Sequence, residues 1–139
     1  MRFATLTFRI AAITGLLTIL PMYFLYDAIG RKDPPALNHP QFYFGFVGVT
    51  LAWQILFFVL STDPVRYRPM MIPAMLEKAV FLASVFVLVS LKMMNAQQAI
   101  VTLPDAVILS FFIAAFRKTP RHQGATQEGR TVKSAAVAS

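Results

Sequence analysis

The sequence predicts an all-α fold, namely an integral membrane antiparallel four-helix bundle with both termini in the cytoplasm. The chain of 139 residues is 57% hydrophobic and only 14% charged, and its mean hydropathy is +0.61. Soluble domains are less apolar and carry about 25% charged residues. Three apolar segments are each close to the roughly 20 residues that an α-helix needs to cross about 30 Å of hydrocarbon. A fourth is shorter, but Arg117 and Lys118 can snorkel at its end and lengthen the effective span.

The first span is predicted over about residues 8–28. Arg2 and Arg9 precede its apolar run, a pattern that is also typical of a secretory signal peptide. The run continues through "PMYFLYD" to Asp27 without a small-x-small cleavage site, which favours a retained helix. Pro21 is predicted to kink this helix near its end, because proline cannot donate the backbone hydrogen bond.

The second span, predicted over about residues 42–61, has two distinctive faces. At about 100° per residue, small residues share one side and polar residues share the other, namely Gly45, Gly48 and Ala52 against Thr50, Gln54 and Ser61. Both sides are predicted to lie inside protein, since small residues permit close packing and polar ones need partners. The polar side either forms interhelical hydrogen bonds or lines a ligand site. Trp53 lies between the two sides.

The third span is predicted over about residues 72–94, after the turn "STDPVRYRP". Glu77 lies about one turn inside it, where a carboxylate is costly unless it is paired, hydrated or protonated. The main hypothesis is a structural ion pair with Arg66 or Arg68, which are also candidates for binding lipid headgroups. Lys78 is predicted to snorkel to the cytoplasmic headgroups.

The fourth span is predicted over about residues 102–118. Thr102 resembles an N-cap, and Asp105 in the first turn would favour the positive end of the helix dipole. Residues 119–139 form a basic, polar, cytoplasmic tail without apolar periodicity. Such a tail is expected to be disordered unless lipid or a partner holds it.

The basic residues predict the orientation. The net charge is +7, and most lysines and arginines flank the cytoplasmic ends of the predicted spans, whereas only Arg31, Lys32 and Lys92 fall on the other side. The charge is therefore interpreted as a topology signal and not as a nucleic-acid site. The predicted location is the bacterial cytoplasmic (inner) membrane, with membrane lipids as partners.

No motif in the sequence predicts catalysis. The chain has no cysteine, which excludes disulfides and thiolate chemistry, and it lacks nucleotide-binding and hydrolase signatures. His39 could join Asp27 and Asp105 in a small proton-handling or metal-binding group, but their spacing does not require it, so neither a metal nor a cofactor is predicted. A proton path from Glu77 to Asp105 is disfavoured, because the two are predicted to lie towards opposite faces.

Four strings occur in the order "FYFGFVGVTLAWQ", "STDPVRYRPMM", "PAMLEKAVF" and "LPDAVILSFFIAAFRKT". Over roughly residues 8–118 this order resembles small bacterial four-helix membrane proteins of the DoxX-like kind. The resemblance implies an antiparallel four-helix bundle and, in some members, association with respiratory membrane enzymes. It carries no catalytic signature, and no site residue is transferred.

Two functions are expected. The first is an accessory or scaffolding subunit of a larger, respiratory or other, membrane complex, with a membrane protein partner or a homo-oligomer. The alternative is a membrane-embedded binder of, or enzyme for, a small hydrophobic molecule such as a quinone or lipid. The ligand-binding candidates for that alternative are Glu77, Gln54, Trp53 and Ser84.

Overall fold

The computed structural model describes residues 2–32 and 38–121, which are helical with no strand among them. This confirms the all-α class. The helices, numbered in chain order, are α1 (Arg2–Ile19), α2 (Tyr26–Lys32), α3 (Pro40–Thr62), α4 (Met71–Ser90), α5 (Ala96–Ala99) and α6 (Leu103–Lys118). His122 and all but the first three residues of the predicted tail lie outside the described residues.

Four helical stretches, each of 23 residues, are long and apolar enough to cross a membrane: Arg2–Phe24, Pro40–Thr62, Arg68–Ser90 and Ala96–Lys118. We call them the candidate spans. Short 3-10 turns join α1 to Phe24, lead into α4 from Arg68 and connect α5 to α6. The first and last candidate spans begin about six residues earlier than the sequence indicated.

The predicted disturbance at Pro21 takes the form of a tighter 3-10 segment, Leu20–Phe24. A proline in this segment removes one backbone donor, and the chain leaves α-helical geometry there. The Tyr43 hydroxyl donates to the Met22 carbonyl at 2.7 Å. The aromatic rings of Tyr26 and Tyr43 meet edge to face at 5.2 Å, so α3 contacts the chain at and just after the 3-10 segment.

An aromatic cluster forms the centre of the core. The Phe8 ring lies 4.4 Å from that of Phe112, which lies 5.0 Å from that of Phe57. These rings come from α1, α6 and α3, so α1 packs against both other helices, while α4 packs mainly on α6. Alanines on the facing sides of the helices, such as Ala4 and Ala115, are buried and permit the close approach.

The two sides of α3 have different fates. On the polar side, Gln54 and Ser61 are buried, at 4% and 0% exposure. On the small side, Gly45 and Ala52 are exposed, and Gly48 touches the Tyr23 hydroxyl region. Within the described chain, the expectation that both sides lie inside protein therefore holds for Gln54 and Ser61 but not for Gly45 and Ala52. The core takes the polar side because α1 offers Gly15 as a complementary surface, as described below.

Between α4 and α6, backbone hydrogen bonds end α4, and Asn95 caps the start of α5. Lys92 has a positive φ of 57°, and the Met93 N–H donates to the Leu88 carbonyl, which is the Schellman ending of a helix. Asn95 and Gln98 form a capping box. Thr102 does not cap α6: its hydroxyl donates to the carbonyl of Ala99.

Candidate functional site

Three ionisable side chains meet between α4 and α6. Lys78 on α4 places its Nζ atom 2.7 Å from Oδ1 of Asp105 on α6 and 3.4 Å from Oε2 of its neighbour Glu77. We call Glu77, Lys78 and Asp105 the charged triad. Their side chains are 17%, 10% and 24% exposed, in that order. The triad is therefore largely buried between α4 and α6, near the middle of two candidate spans.

Helical periodicity places these charges inside. Lys78 follows Met71 by seven residues and Ala74 by four, so the three share one face of α4. Met71 and Ala74 are completely buried. On α6, Asp105 precedes the fully buried Phe112 by seven residues. Lys78 and Asp105 thus each continue an apolar stripe that faces the neighbouring helix, and this spacing is a signal that the sequence already contains.

The triad corrects three expectations. Lys78 does not snorkel to the surface, because its stripe is buried and two carboxylates lie within its reach. Asp105 is in the first turn of α6 as predicted, but its carboxylate pairs with Lys78. Glu77 and Asp105 do not lie towards opposite faces, since Lys78 contacts both.

The surroundings of the triad are mostly apolar. The Lys78 Nζ atom lies 5.9 Å from the centre of the Phe57 ring, a separation at which the ring face still attracts a cation. Lys78 also donates to Oε1 of Glu77 at 3.4 Å. Oε2 of Glu77 is buried and accepts no hydrogen bond from any described residue. The distance to Lys78 permits an ion pair at Oε2, but the angle does not permit a hydrogen bond, so Glu77 is only partly satisfied.

Arg68 supports the end of α6 and does not reach Glu77. Its Nε atom donates to the Thr119 carbonyl at 2.8 Å and its Nη2 atom to the Phe116 carbonyl at 3.3 Å. Its guanidinium carbon also lies 3.9 Å from the centre of the Phe116 ring. These carbonyls are among those that a helix end leaves without intrahelical donors. Arg68 is therefore a cap that comes from another part of the chain.

Arg66 remains at the surface of the same loop. Its guanidinium carbon lies 5.5 Å from the Tyr67 ring, and its backbone N–H donates to the Asp63 carboxylate at 3.1 Å. The expected ion pair of Glu77 with Arg66 or Arg68 is wrong. The physical reason is depth, because Glu77 follows Arg68 by nine residues, about 13 Å of helix rise. A headgroup-binding role for these arginines stays a prediction.

Gln54 fills the space left by a glycine. A Cβ atom at Gly15 on α1 would overlap the amide oxygen and carbon of the Gln54 side chain. The Gln54 amide nitrogen donates to the Thr50 carbonyl of its own helix at 3.1 Å. This contact makes Gln54 part of the interface between α1 and α3, where its amide lies against backbone.

The other two ligand-binding candidates lie in different surroundings. Trp53 is partly buried and packs on the core, with its ring 6.2 Å from that of Phe57. Ser84 is exposed, and its hydroxyl donates to the Val80 carbonyl one turn earlier. The structure thus places Glu77 in the triad, Trp53 against the core and Ser84 on the outer surface of α4.

Arg9 is a charged residue within the first candidate span, and it faces outwards. It follows the completely buried Phe8, yet it is exposed and forms neither an ion pair nor a hydrogen bond with the described residues. Its exposed neighbours along the same side of α1 are apolar, namely Leu6, Ile10 and Ile13. The guanidinium therefore lies among apolar side chains and has no anionic partner among the described residues.

Among the described residues, no three His, Cys, Asp or Glu side chains come together as a metal site. His39 packs edge to face on Phe42 at 5.7 Å. Asp105, the third member of the group considered with His39 and Asp27, is engaged by Lys78. The proposed proton-handling or metal-binding group of these three residues is therefore not formed.

Comparison of the chain with models of protein families, with curated proteins and with solved structures gives no match. The DoxX-like resemblance accordingly stays a prediction.

Proposed function

We propose that the chain is an integral membrane protein whose four candidate spans form an antiparallel bundle in the bacterial cytoplasmic membrane, with both termini in the cytoplasm. A helix of 23 residues is about 34 Å long and exceeds the hydrocarbon thickness of about 30 Å. Large apolar side chains are exposed, including Leu17 at 70% and Phe86 at 74%. Lipid would cover such side chains, whereas their exposure to water would cost free energy.

Within that membrane, the function we propose is that of an accessory subunit that binds a second membrane protein. The observation that carries this proposal is Arg9. A cation on a helix within the apolar region needs an anion or water, and intramembrane charges usually pair. No described residue of this chain supplies an anion, so the partner in this proposal is a membrane helix that carries an aspartate or glutamate.

The exposed small residues of α3 are compatible with such a role. A Cβ atom at Gly45 would meet nothing within 4 Å, and Ala52 lies seven residues later on the same outward side. Small residues let another helix approach closely. Respiratory membrane enzymes are the partner class that the DoxX-like resemblance suggests testing first.

The test is affinity purification from the native membrane in mild detergent, combined with photo-crosslinking from Ile13. We expect a crosslink to an acidic membrane helix. Arg9→Leu should reduce its recovery at least about tenfold, the change that corresponds to about 1.4 kcal/mol. Arg9→Lys should retain part of the partner recovery, and the control Arg2→Leu should retain all of it. Charge reversal on both sides, Arg9→Glu with a lysine in the partner, should restore binding.

Two results would contradict the accessory role. One is a wild-type chain that purifies alone, and the other is a partner that Arg9→Leu still recovers at the wild-type level. A third outcome, an anionic phospholipid lost from Arg9→Leu without any protein partner, would assign Arg9 to lipid phosphate instead.

A second candidate function is binding of a small hydrophobic molecule such as a quinone or lipid. The observation that favours it is the buried Oε2 atom of Glu77, which lacks a hydrogen-bond donor from the described residues. A hydroxyl group on a ligand could supply that donor. Mass spectrometry of organic extracts should then find a molecule bound to the wild-type chain and lost from Glu77→Gln. Identical extracts from both proteins would exclude this function.

A further inference from the structure

The charged triad does not balance its own charge. With all three groups ionised it contains two negative charges and one positive charge, a net charge of −1. Glu77 and Asp105 are also the only acidic residues of the sequence that lie within the candidate spans. A net charge is far more costly inside an apolar bundle in a membrane than a neutral set of groups.

No other described group neutralises the excess. The contribution of α6 to the charges at this site is Asp105, which is already counted in the triad. α3 contributes the Phe57 ring, and the segment Ala96–Thr102 contains no ionisable residue. Arg68, the basic residue just before α4, is committed to carbonyls of the α6 end.

We propose that the charged triad binds one proton, which is held on Glu77, and that the neutral triad is the resting state of the folded bundle. The distances select the carboxylate. Asp105 forms the shorter contact with Lys78, 2.7 Å against 3.4 Å for Glu77. The closer pair keeps its charges, since two carboxylates that share a site do not both ionise readily.

The binding step is a simple acid–base reaction. A proton from water forms an O–H bond on a carboxylate oxygen of Glu77, no electron is transferred, and release returns the proton to water. Because the three groups interact, the affinity for the proton on Glu77 depends on the triad as a whole. This site is independent of the accessory role: it needs neither Arg9 nor a partner.

The test counts protonated carboxyl groups by infrared spectroscopy on the full-length chain in lipid nanodiscs at neutral pH. The carbonyl stretch of a protonated carboxyl group is the readout, and exchange into heavy water shifts it. We expect about one such group in the wild-type chain, because one proton balances the triad. Labelling glutamate with ¹³C should shift this band, since the proton is on Glu77.

Charge balance predicts the number of protonated carboxyl groups in each variant. Glu77→Gln and Asp105→Asn each leave one acid paired with Lys78, so both should lose the band. Lys78→Met leaves two acids without a base and should raise the count to about two. Asp63→Asn, which removes an acid outside the candidate spans, should leave the band unchanged.

The absence of a protonated carboxyl group from the wild-type chain would overturn the proposal, and so would a band that survives in both Glu77→Gln and Asp105→Asn. A band that appears only when sodium and potassium are removed would assign the site to a metal cation instead. If Lys78→Met does not fold, the wild-type spectrum and the two near-isosteric variants still decide the matter.

Discussion

At the scale of single residues, Gly15 determines how closely α1 can approach α3. Its missing side chain is the space that the Gln54 amide occupies. Protein interiors are packed closely enough that one added methyl group is felt. The helix periodicity that places Gln54 inside therefore requires a matching gap on α1, and glycine provides it.

We expect Gly15→Ala to lower the free energy of unfolding by about 1–3 kcal/mol, the usual cost of overpacking. Detergent unfolding monitored through the fluorescence of Trp53, the single tryptophan, would measure it. Gly45→Ala is the matched control, because its Cβ meets nothing within 4 Å, and it should be neutral or slightly stabilising. Adding Gln54→Ala to Gly15→Ala should recover part of the loss. Equal effects of the two glycine substitutions would contradict this account.

Lys78 shows what the sequence could and could not predict about the site. The spacing from Met71 and Ala74 places it on the buried stripe of α4, so its inward position was accessible to helical periodicity. The identity of its partner was not accessible in this way, because it depends on the position of α6 along the axis of α4. Snorkelling was the ordinary expectation for a lysine near a helix start, and a partly buried counter-charge 2.7 Å away outweighs it.

At the scale of helices, α4 and α6 are connected at two levels. The charged triad joins them near the middle of their candidate spans, and Arg68 joins the start of α4 to the end of α6. Two separated contacts fix both the distance and the sliding position of the helices. α3 and α4, in contrast, pack only slightly on each other.

Arg68→Met should lower the free energy of unfolding by about 1–3 kcal/mol, because it removes two hydrogen bonds from a charged donor and leaves carbonyls unsatisfied. Arg66→Met, which loses only a surface contact with Tyr67, should change it by less than about 0.5 kcal/mol. Unfolding in detergent and hydrogen exchange at the α6 end would measure both. Comparable losses in the two variants would show that Arg68 is not a specific cap.

The existence of the four long helices was predictable, whereas their ends were less so. Hydropathy over about 20 residues is a strong signal and found every candidate span. The start of the last one was missed because Pro104 resembles the first turn of a helix, whereas Asn95 begins the helical chain with a capping box. Which of these two possible helix starts is used depends on backbone geometry, which composition does not reveal.

At the scale of the whole molecule, the proposed topology can be tested with single cysteines, since the chain has none. The loop at Asp63 should face the cytoplasm, and Met93, which is 72% exposed, should face the opposite side. In intact cells, a membrane-impermeant maleimide should label Met93→Cys at once, but Asp63→Cys only after permeabilisation. The reverse pattern would invert the topology, and labelling of both would contradict a protein that spans the membrane.

The contact between Lys78 and Asp105 has a consequence for biosynthesis. Translation makes α4 before α6, so a nascent chain that ends after α4 has only Glu77 beside Lys78 as a counter-charge. The third candidate span therefore leaves the ribosome with a balanced Glu77–Lys78 pair, but without the nearer of the two carboxylates that contact Lys78 in the folded chain. Its closest anion arrives with the last span, which makes the final helix the element that completes the bundle.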